Sequence, residues 1–312
     1  MPKHKRPHSS LSATLALIGL GTFILVVLVA KPYQASADVP PTVDSVAVTD
    51  QSYNDILSLG LHPIEAGTLN VTVHGQVSDG DGCSNIDYVD VYMYRSSVWP
   101  MTGANCALDE NNCYGTTLLA QELTNCGRGA TADYSVTFET KNFIDPTDVG
   151  TYASDTWIVR VKVMDSQYNN VTHDSSVFEV QSLAAFTVTP VLDFGTVGLG
   201  GYSQYQTVTF TNTGNTNLNT NVRVDGPLIS DREGFSIIPL DNVRYGLNYG
   251  FEFSTGAAIS TSDTLLSIQL PQQVTANGGI PPTEEAFFQL LMPATGVRGN
   301  YHNTLTFTAV GY

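Results

Sequence analysis

The chain has 312 residues and carries 13 Lys and Arg against 29 Asp and Glu, a formal net charge of −16. A chain so poor in cations cannot neutralise a row of phosphates, which argues against nucleic acid and anionic lipid surfaces as partners. The 275 residues after position 37 are too many for one ordinary β-sandwich and suffice for two domains.

The N-terminus predicts export. A basic start at Lys3–Arg6 precedes an apolar stretch, Leu11–Ala30, and the small residues Ala35–Ala37. This order predicts a signal peptide over 1–37 and an extracellular or cell-surface location. The apolar stretch is also long enough for a retained anchor helix, so both outcomes stay open, and the membrane would be touched only through this segment. The first 37 residues hold four of the basic and none of the acidic residues, which leaves −20 on 38–312.

Two-residue alternation of apolar and polar side chains governs the next part of the chain. In Trp157–Val163, for example, four apolar residues alternate with Ile158, Arg160 and Lys162. The predicted strands include Thr42–Thr49, Thr68–Val77, Ile86–Arg95, a run around Tyr134–Phe138, Trp157–Val163 and Ser176–Gln181. Six or seven short strands with one-sided alternation are typical of an antiparallel immunoglobulin-type β-sandwich, which we assign to 38–182.

All four cysteines, Cys83, Cys106, Cys113 and Cys126, lie in this first domain, within 44 residues. An even number in an exported chain indicates two disulfides. Four cysteines allow three pairings, and we favour Cys106–Cys113 with Cys83–Cys126 because the first pair flanks a short polar loop. Residues 96–131 interrupt the strand pattern and predict a long cross-linked loop.

A second all-β domain is predicted over 183–312. Its expected strands are Phe186–Pro190, Gln206–Thr211, Leu218–Val224, Gly234–Ile238, Tyr245–Phe253, Leu265–Leu270, Ala286–Met292 and Thr304–Ala309. The predicted fold class is therefore all-β, with two tandem antiparallel immunoglobulin-like β-sandwiches after an N-terminal signal or anchor helix.

Both domains resemble known bacterial modules. The pattern in Val191–Val197, followed by Val208–Asn215, resembles hydin-like and choice-of-anchor β-sandwich modules, which implies an attachment domain without catalytic residues. Val77–Ile86 and Phe143–Asp148, leading to Trp157, resemble the immunoglobulin-like domains of exported bacterial surface proteins. Neither resemblance supplies a ligand.

Calcium is the one cofactor for which the sequence offers candidate residues. Asp79 and Asp81 lie two apart on a Gly-rich turn, where both carboxylates could bind one Ca²⁺. The spacing does not match an EF-hand, so such a site would need distant carboxylates, and Asp145 and Asp165 are the candidates. The alternative is an Asp-Gly turn that needs no metal.

Tyr88, Tyr92 and Tyr94 share the strand face opposite to Val89 and Val91. An exposed row of tyrosines would bind sugar rings by stacking, whereas a covered row would pack against the cysteine-rich loop. The sequence contains no H-E-x-x-H, G-x-S-x-G or P-loop motif, so we expect no enzyme, and a hydrolase using acidic pairs is the weakest alternative. The predicted function is a structural, adhesive or spacer module whose partners are envelope proteins or surface polysaccharide.

Overall fold

The computed structural model describes residues 38–99, 105–232, 237–275, 278–296 and 298–312. The predicted leader, 1–37, lies outside them. Asp38–Tyr312 forms one compact unit. Every ladder between strands of the described residues is antiparallel. The prediction of an all-β chain of antiparallel sandwiches is confirmed.

The described residues of the first half of the unit contain seven strands and one short α-helix. The strands are β1 (Thr42–Thr49), β2 (Thr68–Ser78), β3 (Ile86–Arg95), β4 (Cys113–Leu119), β5 (Thr131–Lys141), β6 (Trp157–Asp165) and β7 (Asn170–Asp174). They form a three-stranded sheet in the order β1-β2-β5 and a four-stranded sheet in the order β4-β3-β6-β7. Asp55 is the N-cap of helix α1 (Ile56–Leu59), and its side chain accepts a hydrogen bond from the Leu57 amide.

The alternation read from the sequence determines which side chains enter the first core. Val71 and Val73 of β2 lie in one cluster with Val89 of β3 and Val161 of β6, and all four are fully buried. Since these strands belong to both sheets, the two sheets pack face to face as a sandwich. The Trp157 ring is also fully buried, and its indole N–H donates to the Asp145 carbonyl at 3.0 Å.

Two predictions about this half were wrong in part. The loop expected over 96–131 contains strand β4, which pairs with β3 from Tyr88↔Leu119 to Tyr94↔Cys113. A mixed pattern of buried and exposed residues hides this strand in the sequence. The segment predicted as a strand at Ser176–Gln181 forms only isolated bridges, Trp157↔Phe178 and Leu61↔Val180.

In the part of the second half that the structure describes, there are eleven short strands. They are β8 (Phe186–Val188), β9 (Gln206–Asn212), β10 (Leu218–Val224), β11 (Leu228–Ser230), β12 (Ile237–Ile238), β13 (Val243–Gly246), β14 (Ala257–Ala258), β15 (Thr264–Leu265), β16 (Thr283–Leu290), β17 (Tyr301–His302) and β18 (Leu305–Gly311). Their sheets have the orders β14-β13-β16-β9-β8, β15-β10-β18 and β12-β11-β17. Phe210 and Phe288 from the first sheet and Leu218 from the second are fully buried in one common core.

The long strand predicted at Tyr245–Phe253 is wrong after Gly246, because the chain turns there. The Phe251 ring lies over Gly246 and Gly256, where an added Cβ would come within 2.8 and 2.4 Å of ring atoms. The two glycines therefore make room for an aromatic ring that folds back over the strand. The strand predicted at Leu265–Leu270 is reduced to β15 and an isolated bridge at Leu270.

The described residues contain two large hydrophobic clusters, one drawn from positions 48–180 and the other from positions 208–290. They agree with two sandwiches in tandem, while the exact boundary at 182/183 stays a prediction. No helix in the described ranges is long and apolar enough to cross a membrane.

Candidate functional site

Two of the predicted calcium ligands, Asp79 and Asp81, lie on the turn between β2 and β3. Asp79 is 1% exposed. One of its carboxylate oxygens accepts the Asp81 amide at 2.8 Å and the other accepts Asn85 Nδ2 at 3.1 Å. The Asp81 carboxylate accepts the Val39 amide at 2.9 Å. These contacts organise the turn, as an Asp-Gly turn without metal would require.

Asp165 lies near this turn, at the end of β6. It is fully buried and accepts the amides of Gln167 and Asn169 at 2.9 and 2.8 Å. Partial desolvation and the nearby Asp165 carboxylate raise the pKa of Asp38. Carboxylates therefore crowd this end of the sandwich. Across the described ranges, however, no group of three or more His, Cys, Asp or Glu side chains is arranged to hold a metal ion.

Asp145, the fourth candidate, does not belong with the other three. In the β3–β6 ladder, Ile86 pairs with Asp165 at one end and Arg95 pairs with Trp157 at the other. The Asp145 carboxylate binds Arg95, so it lies at the opposite end of β3 from Asp165, a distance of about 30 Å along the strand. Of the two distant candidates, only Asp165 therefore lies near Asp79 and Asp81, and Asp145 is excluded as a ligand of the same ion.

The predicted tyrosine row is not an exposed face. Tyr94 is 2% exposed, and its ring centroid lies 4.5 Å from that of Trp99. Tyr92 is half-buried against the same tryptophan at 5.7 Å, and Tyr88 is also half-buried. The prediction of an exposed row is wrong because Trp99, which follows β3, packs against Tyr92 and Tyr94.

Two disulfides are present, as predicted, and they pair Cys83 with Cys126 and Cys106 with Cys113. The Cys106–Cys113 pair packs against Tyr94 in a small buried cluster on the outer face of the four-stranded sheet. The disulfide and Trp99 therefore both contribute to the cover over Tyr94. Two disulfides are typical of a protein that folds outside the reducing cytoplasm.

A buried polar network lies at the other end of β3. The Arg95 guanidinium donates to Asp145 at 3.0 Å and to Ser97 at 2.6 Å, and it also binds Asp155. The Tyr152 ring lies 3.8 Å from the guanidinium carbon. The Arg95 side chain is only 9% exposed, so its charge is balanced by these carboxylates rather than by water.

The two carboxylates on Arg95 differ in acidity. Burial raises the pKa of Asp145 to about 6, against the opposing effect of Arg95. Burial also tends to raise the pKa of Asp155, but hydrogen bonds from Ser97 and Arg95 outweigh this effect, so the pKa of that carboxyl is lowered. The other Asp145 oxygen accepts Gln272 Nε2 at 3.1 Å, which links the network to the second half of the chain.

Two buried asparagines join the halves in a reciprocal way. Asn111, from the first half, donates to the Gln273 carbonyl at 3.0 Å and accepts the Thr275 amide at 2.7 Å. Asn215, from the second half, donates to the Ile144 carbonyl at 3.1 Å. Asn111 is 4% exposed and Asn215 is fully buried. We call the contacts of Asn111, Asn215 and Gln272 with the opposite half the polar junction.

Close backbone approach supports the polar junction. A Cβ on Gly214 would lie 2.0 Å from the Leu183 carbonyl oxygen, so only glycine fits there. The neighbouring Thr213 carbonyl accepts the Ala66 amide at 3.1 Å and Asn142 Nδ2 at 2.9 Å. The turn 212–215 is thus held by the first half through its backbone as well as through Asn215.

Sequence reasoning missed the asparagines of the polar junction, because Asn in a loop is usually a turn residue. It also missed a repeated pentapeptide, Asp50–Asn54 and Asp165–Asn169, in which Asp, Tyr and Asn recur at the same spacing. In both copies the tyrosine has a left-handed backbone and a highly exposed side chain, at Tyr53 and Tyr168. A search for short internal repeats would have found this signal.

No protein-family model matches the chain, and no curated protein is found similar to it. The hydin-like resemblance of the second domain therefore stays a prediction.

Three solved structures align with the chain at low similarity. A chaperone–tip adhesion subunit complex of Csu pili from Acinetobacter baumannii aligns with a TM-score of 0.32 at 10% identity, over 76% of this chain and 91% of that one. A chaperone–tip adhesin complex of CFA/I fimbriae gives 0.29 at 10% identity, over 88% and 91%. Dimeric latent PorU from Porphyromonas gingivalis gives 0.27 at 11% identity, over 88% and 21%. Similarity this low transfers no function.

Proposed function

We propose that this protein is an exported, non-catalytic structural or adhesive module in which two β-sandwiches act as one rigid spacer at the cell surface. The polar junction carries the proposal. Domains joined by a flexible linker rarely exchange buried side-chain hydrogen bonds, since relative motion is the default for tandem domains. Here Asn111 and Asn215 each place a buried amide in the opposite half.

Rigidity suits a spacer for a physical reason. Bending at the junction would break several buried hydrogen bonds at once, each worth about 0.5–1.5 kcal/mol net, so their costs add against it. The negative charge of 38–312 would keep the module soluble outside the cell. Its partners, by this proposal, are other envelope proteins or surface polysaccharide.

The hydrolase alternative has one observation in its favour. Asp145 and Asp155 share Arg95 and have pKa values shifted in opposite directions, as an acid and a base in one site would. Asp145 is only 2% exposed, however, and both of its oxygens are engaged by Arg95 and Gln272. A substrate could reach it only if the polar junction opened, so we place this function second.

Small-angle X-ray scattering of the full chain and of an Asn111→Ala/Asn215→Ala variant tests the rigid spacer. The native scattering should fit a single rigid body, whereas the variant should gain radius of gyration and require a family of orientations. Flexible scattering from the native chain would overturn the proposal.

Release of reducing sugar from envelope polysaccharide tests the non-catalytic assignment. We expect none from the native chain. Release that disappears in an Asp145→Asn variant would establish the hydrolase instead.

A further inference from the structure

The outer face of the β1-β2-β5 sheet forms an open groove of about 920 Å³. Alternation directs small polar side chains into it from neighbouring strands. Opposite each other in the β2–β5 register are Thr72 and Thr137, His74 and Ser135, and Gln76 and Asp133. These three rows extend over about 14 Å of sheet, since residues in a strand rise about 3.4 Å each.

The groove is built by features that a flat sheet would lack. Strand β1 has a register shift between Val43 and Ser45, which is a β-bulge and bends the strand. The buried Tyr134 hydroxyl donates to the Ser45 carbonyl at 2.9 Å. Gly75 makes room for this contact, because a Cβ there would lie 2.0 Å from the Ser45 oxygen.

The turn after β1 forms one wall of the groove and presents Tyr53, which is 89% exposed. Its backbone has φ of 63°, a region that costs a non-glycine residue about 1–3 kcal/mol. Asp50 fixes the turn by accepting the amides of Ser52 and Asn54 at 2.7 and 2.9 Å. Glycine would suit this backbone better, so the geometry of the turn does not itself require a tyrosine.

The charge of the groove limits what can bind. Asp50 and Asp133 supply the carboxylates of the groove, and no Lys or Arg is found among the described residues that line it. Hydrogen bonds from Asn54 and from Asn125 lower the pKa values of Asp50 and Asp133, respectively. Both carboxylates are therefore ionised at neutral pH. They repel polyanions, while the hydroxyl and amide side chains between them suit a ligand rich in hydroxyl groups.

We propose that this groove binds a neutral polysaccharide chain, with the Tyr53 ring stacking on a sugar and the Thr72–Thr137 and His74–Ser135 rows hydrogen-bonding its hydroxyls. An apolar ligand would leave these polar groups unsatisfied. A β-strand from another protein would pair along a sheet edge rather than across a face. The inference is independent of the rigid spacer, which rests on the polar junction.

Native gel electrophoresis of the full chain tests the proposal, in gels that contain a soluble β-glucan, a galactomannan or a xylan. The native chain should be retarded by at least one of them. Tyr53→Gly should weaken that retardation about tenfold or more, as loss of an aromatic anchor does. Ser135→Arg, which fills the groove from an exposed position, should abolish it.

The repeated pentapeptide provides a matched control. Tyr168 is 80% exposed, has φ of 70° and follows Asp165 in the same type of turn, but it does not line the groove. Tyr168→Gly should leave retardation unchanged. Because glycine relieves the left-handed strain, both variants should keep or raise the melting temperature, so weaker binding by Tyr53→Gly cannot result from unfolding.

Three outcomes would overturn the proposal. The native chain could pass all three gels without retardation, or Tyr53→Gly could bind as well as the native chain. The native chain could also bind a polyanionic polysaccharide such as pectate more tightly than the neutral ones, which would contradict the charge argument.

Discussion

Replacing Asn215 with alanine removes one side chain that makes three hydrogen bonds, two of them across the polar junction. Its Nδ2 group donates to the Ile144 and Gln181 carbonyls at 3.1 and 3.0 Å, and its Oδ1 accepts the Leu183 amide at 2.6 Å. Alanine offers no partner to any of these groups. The fully buried position leaves little room for water to replace the amide.

The expected loss follows from the number of groups left unsatisfied. Two carbonyls and one amide lose their partner, and each buried polar group without a partner costs about 1–3 kcal/mol. Partial relaxation of the turn lowers the total. We expect Asn215→Ala to reduce the free energy of unfolding by about 3–5 kcal/mol, which is at the upper end for a single substitution.

Urea unfolding, followed by circular dichroism and tryptophan fluorescence, measures this loss. Trp99 and Trp157 both lie in the first half, so fluorescence reports that half while circular dichroism reports both. If the junction couples the halves, the two probes should coincide for the native chain and separate for the variant. Asn248→Ala is the control, since Asn248 is exposed in a turn, and its change should stay within about 0.5 kcal/mol.

A loss below about 1 kcal/mol, with both probes still coincident, would refute the reasoning. It would mean that the amide contacts are replaced by solvent at no net cost. The polar junction would then not hold the halves together.

Three further measurements address other parts of the structure. The pKa of Asp145 is raised to about 6, so between pH 4 and pH 7 the folded state holds a proton that the unfolded chain releases. The free energy of unfolding of the native chain should therefore fall by about 2 kcal/mol relative to that of Asp145→Asn from pH 4 to pH 7. A difference between the two chains that does not change with pH in urea unfolding would contradict this. Gly115→Ala should lower the free energy of unfolding by about 1–3 kcal/mol, because the new Cβ would lie 2.2 Å from the Tyr92 ring. Gly127→Ala is the control: its Cβ would meet no atom within 4 Å, so the free energy of unfolding should hardly change. Replacing both cysteines of the Cys83–Cys126 disulfide by serine should lower the free energy of unfolding by about 4 kcal/mol, and replacing those of Cys106–Cys113 by about 2.5 kcal/mol. The first loss is larger because that disulfide closes the longer loop. A larger loss for Cys106–Cys113 would contradict this explanation by loop entropy.

The sequence alone determined the fold class and most of the first core. Alternation with period two is a local property, so Trp157–Val163 revealed its buried face without any knowledge of its neighbours. The disulfide pairing also followed from a local feature, the short loop between Cys106 and Cys113. The turn at 212–215 could also be predicted from its Asn and Gly residues, because turn preferences are likewise a local property.

Only the tertiary structure decided what covers each surface. Alternation puts Tyr94 opposite the core, but it does not say that Trp99 and a disulfide lie over the ring. The contact of Asn111 with Gln273 joins residues 162 positions apart, and no local pattern encodes a partner at that distance. The Tyr53 groove likewise depends on a β-bulge and on strands from three separate parts of the chain. Periodicity reports the direction of a side chain, whereas its partner is set by how distant segments pack.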